Sequence, residues 1–421
     1  MALKAELVAI GDELVSGQAL DTNSQWLARS LAALGVETRF HSSIGDDMDE
    51  NLGALRHAFG RAELVVTTGG LGPTQDDLTR EALARVAGVE LVEDPASLAA
   101  IAGFFERRNR AMTERNRVQA LFPAGSEPIA NRVGTAPGIW MRLGRATCIC
   151  LPGVPYEMKV MFEEQVAPRV RSLMAARGDT RFILERKLNL FGRGEADVEA
   201  SALDLTARGR EPMVGITASD ATISFRVRSS SATETEAASA LEGTLATIRA
   251  RFADILFSEG DDELQHAVLA ELARSGKTLA VAESCTGGLI ADRVASLAGA
   301  SEHFLGGVVS YSNASKSALL GVPAELIARV GAVSPEVAEA MAVGARGRFG
   351  SDLAVSVTGI AGPSGGTPEK PVGLVYLGLA TAEGVRSRKL ELGPEQPRRV
   401  IQSRSAKHAL NWVRRELLGL E

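Results

Sequence analysis

The chain has 421 residues, 45% hydrophobic and 23% charged, and a formal net charge of -6; this suits two or three globular domains and leaves no global basic footprint for nucleic acid. Three cysteines, Cys148, Cys150 and Cys285, offer no second pair for a zinc site and no disulfide framework, which points to a reducing compartment. No apolar run approaches the length of a membrane span, and the first residues, which carry Lys4 and Glu6, lack a signal-peptide layout, so the expected location is the cytoplasm.

Residues 1–170 alternate strand-like and helix-like segments, the pattern of an α/β sheet with helical crossovers. A strand is expected over 5–10. A helix over 23–34 follows, with Leu27, Leu31 and Leu34 on one face and Gly35 as its stop. Then come a strand over 37–44, a helix over 49–59, a strand over 64–68, a glycine-rich loop over 69–73 and a helix over 77–86. Segments 139–141 and 147–151 read as a hairpin around Gly144, and Pro152 to Pro155 turn the chain into a helix from Tyr156. From 171 to 258 the character changes to a small α+β module: strands over 182–190 and 221–227, helices over 194–205 and 236–252, and a Ser/Thr-rich loop between. This module carries no obvious catalytic cluster; it positions its neighbours or makes an oligomer contact. From 259 to 421 the alternation returns, with helices over 263–274 and 398–418 and strands over 278–282, 306–310, 353–357 and 373–379.

In the first segment, three glycines (Gly69, Gly70 and Gly72) follow a strand, and Pro73, Thr74, Asp76 and Asp77 come next. Glycines let backbone N–H groups approach an anion closely. The two aspartates would repel a phosphate unless a divalent cation, Mg²⁺ or similar, lay between them. The bland alternative is a glycine turn with an Asp cap. Asp12 and Glu13 follow the first strand and would lie at the same sheet edge; Asn23 is a ligand contact or a helix cap. Two more clusters are Asn131 to Gly138 and Leu151 to Met158; Glu157 in the latter reaches a ligand or only favours the helix dipole.

In the last segment, Ala280 to Gly288 (Ala-Val-Ala-Glu-Ser-Cys-Thr-Gly-Gly) is a strand, a tight turn and a helix start, with Ser284 at the junction. Free N–H groups beside a serine hydroxyl suit a nucleophile, because they stabilise a developing oxyanion; the same pattern is also an ordinary helix start. Val308 to Lys316 and Val355 to Gly366 are two further strands running into polar or glycine-rich loops, and parallel strands would bring all three loops to one crevice. No histidine is well placed to serve Ser284. Lys316 is the better base, provided burial lowers its pKa; otherwise it is a surface lysine. Tyr311 is a core aromatic or a hydroxyl relay. Thr358 caps its loop or bonds substrate. Arg398 opens the last helix, where an anion or plain solvation explains it.

Four motifs in the first segment, Gly-Asp-Glu-Leu, Thr-Gly-Gly-Leu-Gly-Pro-Thr-x-Asp-Asp, Gly-Thr-Ala-Pro-Gly and Leu-Pro-Gly-Val-Pro-x-Glu-Met, occur in the order found in the competence/damage-inducible CinA family. The last segment resembles the C-terminal domain of that family, also found as a stand-alone nicotinamide-mononucleotide deamidase, through Ala-Glu-Ser-Cys-Thr-Gly-Gly, Tyr-Ser-Asn-x-x-Lys, Gly-Ala-Val-Ser, Thr-Gly-Ile-Ala-Gly-Pro-x-Gly-Gly and Lys-Pro-Val-Gly. The resemblance implies an α/β molybdopterin-binding-like domain over 1–170, a connecting α+β module over 171–258 and an α/β deamidase domain over 259–421. It implies Ser284 as nucleophile and Lys316 as base, with Tyr311, Thr358 and Arg398 completing the catalytic set. Thr286, Gly287, Gly288, Asn313, Gly359 and Gly362 would contact nicotinamide mononucleotide, and no metal would be needed there. In the first domain it implies metal-dependent hydrolysis of ADP-ribose to AMP and ribose 5-phosphate. Gly69, Gly70, Gly72, Thr74, Asp12, Glu13, Asn23 and Glu157 would bind substrate and Asp76 and Asp77 the metal. A homodimer and no direct nucleic-acid partner are expected. The alternative is a competence or DNA-damage interaction protein with a nucleotide- or pterin-sensing first domain. One departure stands out: the family pattern has a second arginine where this chain has Gln402.

Overall fold

Strand residues of the first segment alternate between two buried clusters, as a sheet covered on both faces requires. The computed structural model describes residues 3–178 and 181–420. These form two compact units, Met1–Leu184 with Ser229–Leu241, and Glu185–Arg228 with Glu242–Glu421. In the first unit the sheet runs in the order Glu37–Ile44, Lys4–Ile10, Leu64–Thr68, Ala146–Leu151, Gly138–Leu143, Glu127–Ile129. The first three junctions are parallel and the last two antiparallel. Leu7, Leu64 and Val66 pack on one face with Leu27 and Leu31 of helix Thr22–Ala32. Val8, Ile10 and Val65 pack on the other with Leu55 and Leu83, from helices Met48–Arg61 and Thr79–Ala87. The expected strand–helix alternation is therefore present, with element ends shifted by a residue or two.

The second unit carries two sheets. A four-stranded one runs Met213–Ser219, Thr222–Ser231, Phe182–Phe191, Leu256–Glu259. Its first and last strands were not expected. Met213–Ser219 is a largely exposed edge without a clear apolar alternation, and the hairpin that follows turns on Asp220 and Ala221, both at positive φ, instead of the usual Asn-Gly. The helix expected over 194–205 is only Glu195–Ala200, followed by turns. The other sheet runs Phe304–Val309, Leu279–Glu283, Leu353–Gly359, Leu374–Thr381, Gly384–Glu391. Its first three strands are parallel to one another, so their C-terminal ends share one edge. Leu279, Val281, Val355 and Val357 pack on Leu410 and Val413 of helix Arg398–Leu418. Ala280, Ala282 and Ala354 pack on Val337 and Met341 of helix Pro335–Phe349. The strand Gly384–Glu391 escaped the sequence reading because it is a charged edge strand, a composition that guards a sheet edge against pairing. Among the described residues, no helix is long and apolar enough to cross a membrane.

Candidate functional site

At the C-terminal edge of the second unit's parallel strands, the three expected loops meet. Ser284 follows strand Leu279–Glu283, and its N–H donates to the Val357 carbonyl at 2.9 Å, which ties it to the neighbouring strand. Lys316 comes from helix Asn313–Leu320, whose start is capped by Ser312. Its side chain is 1% exposed and its ammonium nitrogen lies 2.9 Å from Ser284 Oγ and 2.7 Å from the Ser310 carbonyl. Burial pushes the Lys316 amine below its usual pKa, with the Cys285 thiol working in the opposite sense. A neutral amine here donates one N–H to Ser310 O and offers its lone pair to the Ser284 hydroxyl. Burial also pushes the Cys285 thiol up to about 12, so this neighbour of Ser284 stays protonated and is a poor nucleophile.

The other expected residues divide. Tyr311 is exposed, and its hydroxyl accepts from Arg398 at 2.8 Å; the same guanidinium donates to Gly362 O at 2.9 Å. Tyr311, Arg398 and Gly362 thus form one bridge between loops. Thr358 is buried and donates to the Ala332 carbonyl at 2.8 Å, which holds the Gly331–Ser334 segment against its strand. Gly359 lies too close to Val375 for a side chain, so its role is close packing. Asn313 is exposed at the helix start. Gly287 and Gly288 both take positive φ, as the turn demands.

The sequence reading missed Glu283. Its fully buried carboxylate accepts from the N–H groups of Gly288, Ile290 and Ala291 at 2.8–3.1 Å. The helix start expected to face an oxyanion is thereby occupied by the protein's own carboxylate. Nothing local marked it, since Glu283 reads as the last residue of a strand.

In the first unit, the glycine loop and most of the expected acidic residues surround a cavity of about 430 Å³. Glu13, Gly69, Gly70, Gly72, Asp76, Asp77 and Glu157 line it. Asp12, Asn23 and Thr74 do not. Gly69 is at φ +108, and a Cβ there would sit 2.2 Å from the Ile10 carbonyl oxygen. Asn23 donates to Thr68 Oγ1 and to the Gly153 carbonyl, joining the end of strand Leu64–Thr68 to the turn after Leu151. Glu157 accepts from Asn131 at 2.7 Å and presses on Gly134. A second cavity of about 590 Å³, lined by Ile101, Phe104, Asn131 and Gly134, adjoins the first at Thr135.

The expectation of a divalent metal at Asp76 and Asp77 is overturned. Among the described residues, no group of three or more His, Cys, Asp or Glu is arranged to hold a metal ion. The reason lies in how the carboxylates are used. Asp77 turns inward and accepts from the N–H of Gly72 at 2.6 Å, the N–H of Thr74 at 2.8 Å and the Thr74 hydroxyl. Asp12 and Asp46 each accept the other's backbone N–H at 3.0 Å. Asp76 is left exposed. With both of its oxygens bound within its own loop, Asp77 has little capacity left for a cation. What the sequence reading missed here is Arg80, a buried guanidinium that donates to the carbonyls of Leu71 and Gly72 beneath the loop. Burial lowers its pKa to about 10, so it remains a cation at neutral pH. Its signal was faint: a single arginine one residue into a helix.

Three family models together span almost the whole chain. Residues 6–172 match a probable molybdopterin binding domain, residues 185–258 the damage-inducible protein CinA KH domain, and residues 261–417 the CinA C-terminal domain. A putative competence-damage inducible protein of Caldanaerobacter subterraneus is 41% identical over 417 residues, covering 99% of both chains. The chain belongs to the CinA family. A CinA-like protein of Dictyoglomus thermophilum is likewise 41% identical, over 99% of this chain and 100% of its own. Among solved structures, the protein CinA with unknown function from Thermoplasma acidophilum is 35% identical over a match that covers 40% of this chain and 98% of its own, with a TM-score of 0.38. As a CinA protein, the chain has an α/β architecture with distinct N- and C-terminal domains.

Proposed function

We propose that the C-terminal site is a serine–lysine amidase that hydrolyses the carboxamide of nicotinamide mononucleotide. The observation that carries this reading is the buried Lys316 amine 2.9 Å from Ser284 Oγ, with its pKa lowered by burial. Lys316 takes the hydroxyl proton as Ser284 Oγ attacks the carboxamide carbon. The tetrahedral oxyanion is held by backbone donors of the turn. Lys316 then passes its proton to the leaving nitrogen, and ammonia departs. Water, deprotonated by Lys316, attacks the acyl-serine ester; Lys316 returns that proton to Ser284 Oγ as the ester bond breaks, and nicotinate mononucleotide leaves. Arg398, held by Tyr311 and Gly362, is a cation for the 5′-phosphate. The domain limits 1–170, 171–258 and 259–421, a homodimer and a cytoplasmic location belong to the same proposal.

A second reading draws better support from the comparisons. The relatives are named for competence and damage induction, and those names state no reaction. On that reading the chain is an interaction protein of competence or DNA damage with a nucleotide- or pterin-sensing N-terminal domain. Metal-dependent hydrolysis of ADP-ribose falls with the metal. The glycine loop above Arg80 supports binding of an anionic nucleotide or pterin instead.

The deciding experiment measures ammonia release from nicotinamide mononucleotide by the intact chain and by Ser284→Ala. Release abolished by the substitution supports the amidase. No release from the folded intact chain sinks it and leaves the interaction reading. Calorimetric binding of ADP-ribose in the presence of a chelator tests the N-terminal domain; failure to bind removes the nucleotide as its ligand.

A further inference from the structure

We infer that Gln402 is a positioning residue that aims the oxyanion donors of the turn after Ser284, an inference that rests on the amidase reading. Most N–H groups of that turn are already taken. Ser284 N–H donates to Val357 O at 2.9 Å, Gly287 N–H to Ser284 O at 3.1 Å, and Gly288 N–H to the Glu283 carboxylate at 3.1 Å. Among the described residues, the N–H groups of Cys285 and Thr286 meet no acceptor outside their own residues. The Thr286 hydroxyl is also buried and unpartnered. The unsatisfied donors of the turn are therefore concentrated at 285 and 286, directly after the nucleophile. Buried donors without partners carry a cost that a substrate oxyanion removes.

Gln402 sits on helix Arg398–Leu418, is 8% exposed, and donates its amide N–H to the Cys285 carbonyl at 2.8 Å. That carbonyl and the Thr286 N–H belong to one peptide unit. In a trans peptide the two point in opposite directions. Anchoring the carbonyl on Gln402 fixes the plane and turns the Thr286 N–H away from the helix. Glu283 pins the far side of the same turn through Gly288, so the segment is held at both ends. An arginine, the residue of the family pattern, also presents N–H donors; glutamine keeps that capacity without adding a charge to the turn.

The test compares ammonia release from nicotinamide mononucleotide by the intact protein, Gln402→Met and Gln402→Arg. Removing an oxyanion donor outright costs roughly 10²–10³ in kcat, so misaiming one is expected to cost roughly 10- to 100-fold, with KM changed less than about twofold. Gln402→Arg is expected to restore most of kcat. If Gln402→Met does not fold, Gln402→Asn withdraws the amide by one methylene and is read the same way. Wild-type release with kcat unchanged in Gln402→Met or Gln402→Asn overturns the inference and leaves the amidase standing. So does a rise in KM alone, which marks a substrate contact. Absence of release from the wild type sinks the amidase reading itself.

Discussion

Replacing Lys316 by methionine separates chemistry from stability. The amine makes two bonds, to Ser284 Oγ and the Ser310 carbonyl, and is 1% exposed. Methionine fills nearly the same volume and removes the cost of burying an ionisable group. Against that, the Ser310 carbonyl loses its partner, a penalty of roughly 1–3 kcal/mol. The two effects oppose, so the unfolding free energy is expected to move by no more than about 2 kcal/mol. Catalysis has no such compensation. General-base removal costs roughly 10²–10⁴-fold, and here bulk water reaches Ser284 poorly because the serine is itself buried. The loss in kcat/KM belongs at the upper end, near 10⁴-fold, or about 5 kcal/mol of transition-state stabilisation. The assay is ammonia release from nicotinamide mononucleotide, with urea unfolding of the same preparation. A folded Lys316→Met that keeps a tenth or more of wild-type activity would refute the base assignment.

The pH profile follows from the same group. The neutral amine is the active form, so kcat/KM should rise with pH through the folded-state pKa of Lys316. Because burial lowers that pKa, the midpoint should fall below the ordinary lysine range; Lys316→Arg, which cannot deprotonate, should show no such limb. Glu283→Ala strips three N–H groups of their acceptor and should lower stability by roughly 3–5 kcal/mol in chemical denaturation; a loss under about 1 kcal/mol would show that the carboxylate is dispensable to the turn. Gly69→Ala would force a Cβ to 2.2 Å from a backbone oxygen at positive φ, and should cost about 2 kcal/mol or more together with N-terminal ligand affinity. Unchanged denaturation and binding would mean that the loop relaxes freely.

Local chemistry carried much of the reading. The short apolar runs around Leu7, Val66 and Val355 and the helical spacing of Leu27, Leu31 and Leu34, with glycines at strand ends, were enough for two α/β segments and for the three strand–loop junctions that end at Ser284, Tyr311 and Thr358. These signals are local because backbone sterics and side-chain period act over a few residues. The edge strands Met213–Ser219 and Gly384–Glu391 escaped for the same reason: their place is set by the partner strand, not by their own composition.

Only the tertiary structure decided what each polar group is spent on. Asp76 and Asp77 look like a cation-binding pair in one dimension; in three, Asp77 folds back on Gly72 and Thr74 and leaves no metal cage. Lys316 could have been a surface lysine until helix Asn313–Leu320 carried it into the protein beside Ser284, 32 positions away in the chain. Gln402 reaches Cys285 across 117 positions. Sequence names the groups able to donate and accept, but a buried group's role depends on which partners reach it within about 3 Å, and long-range packing alone determines that.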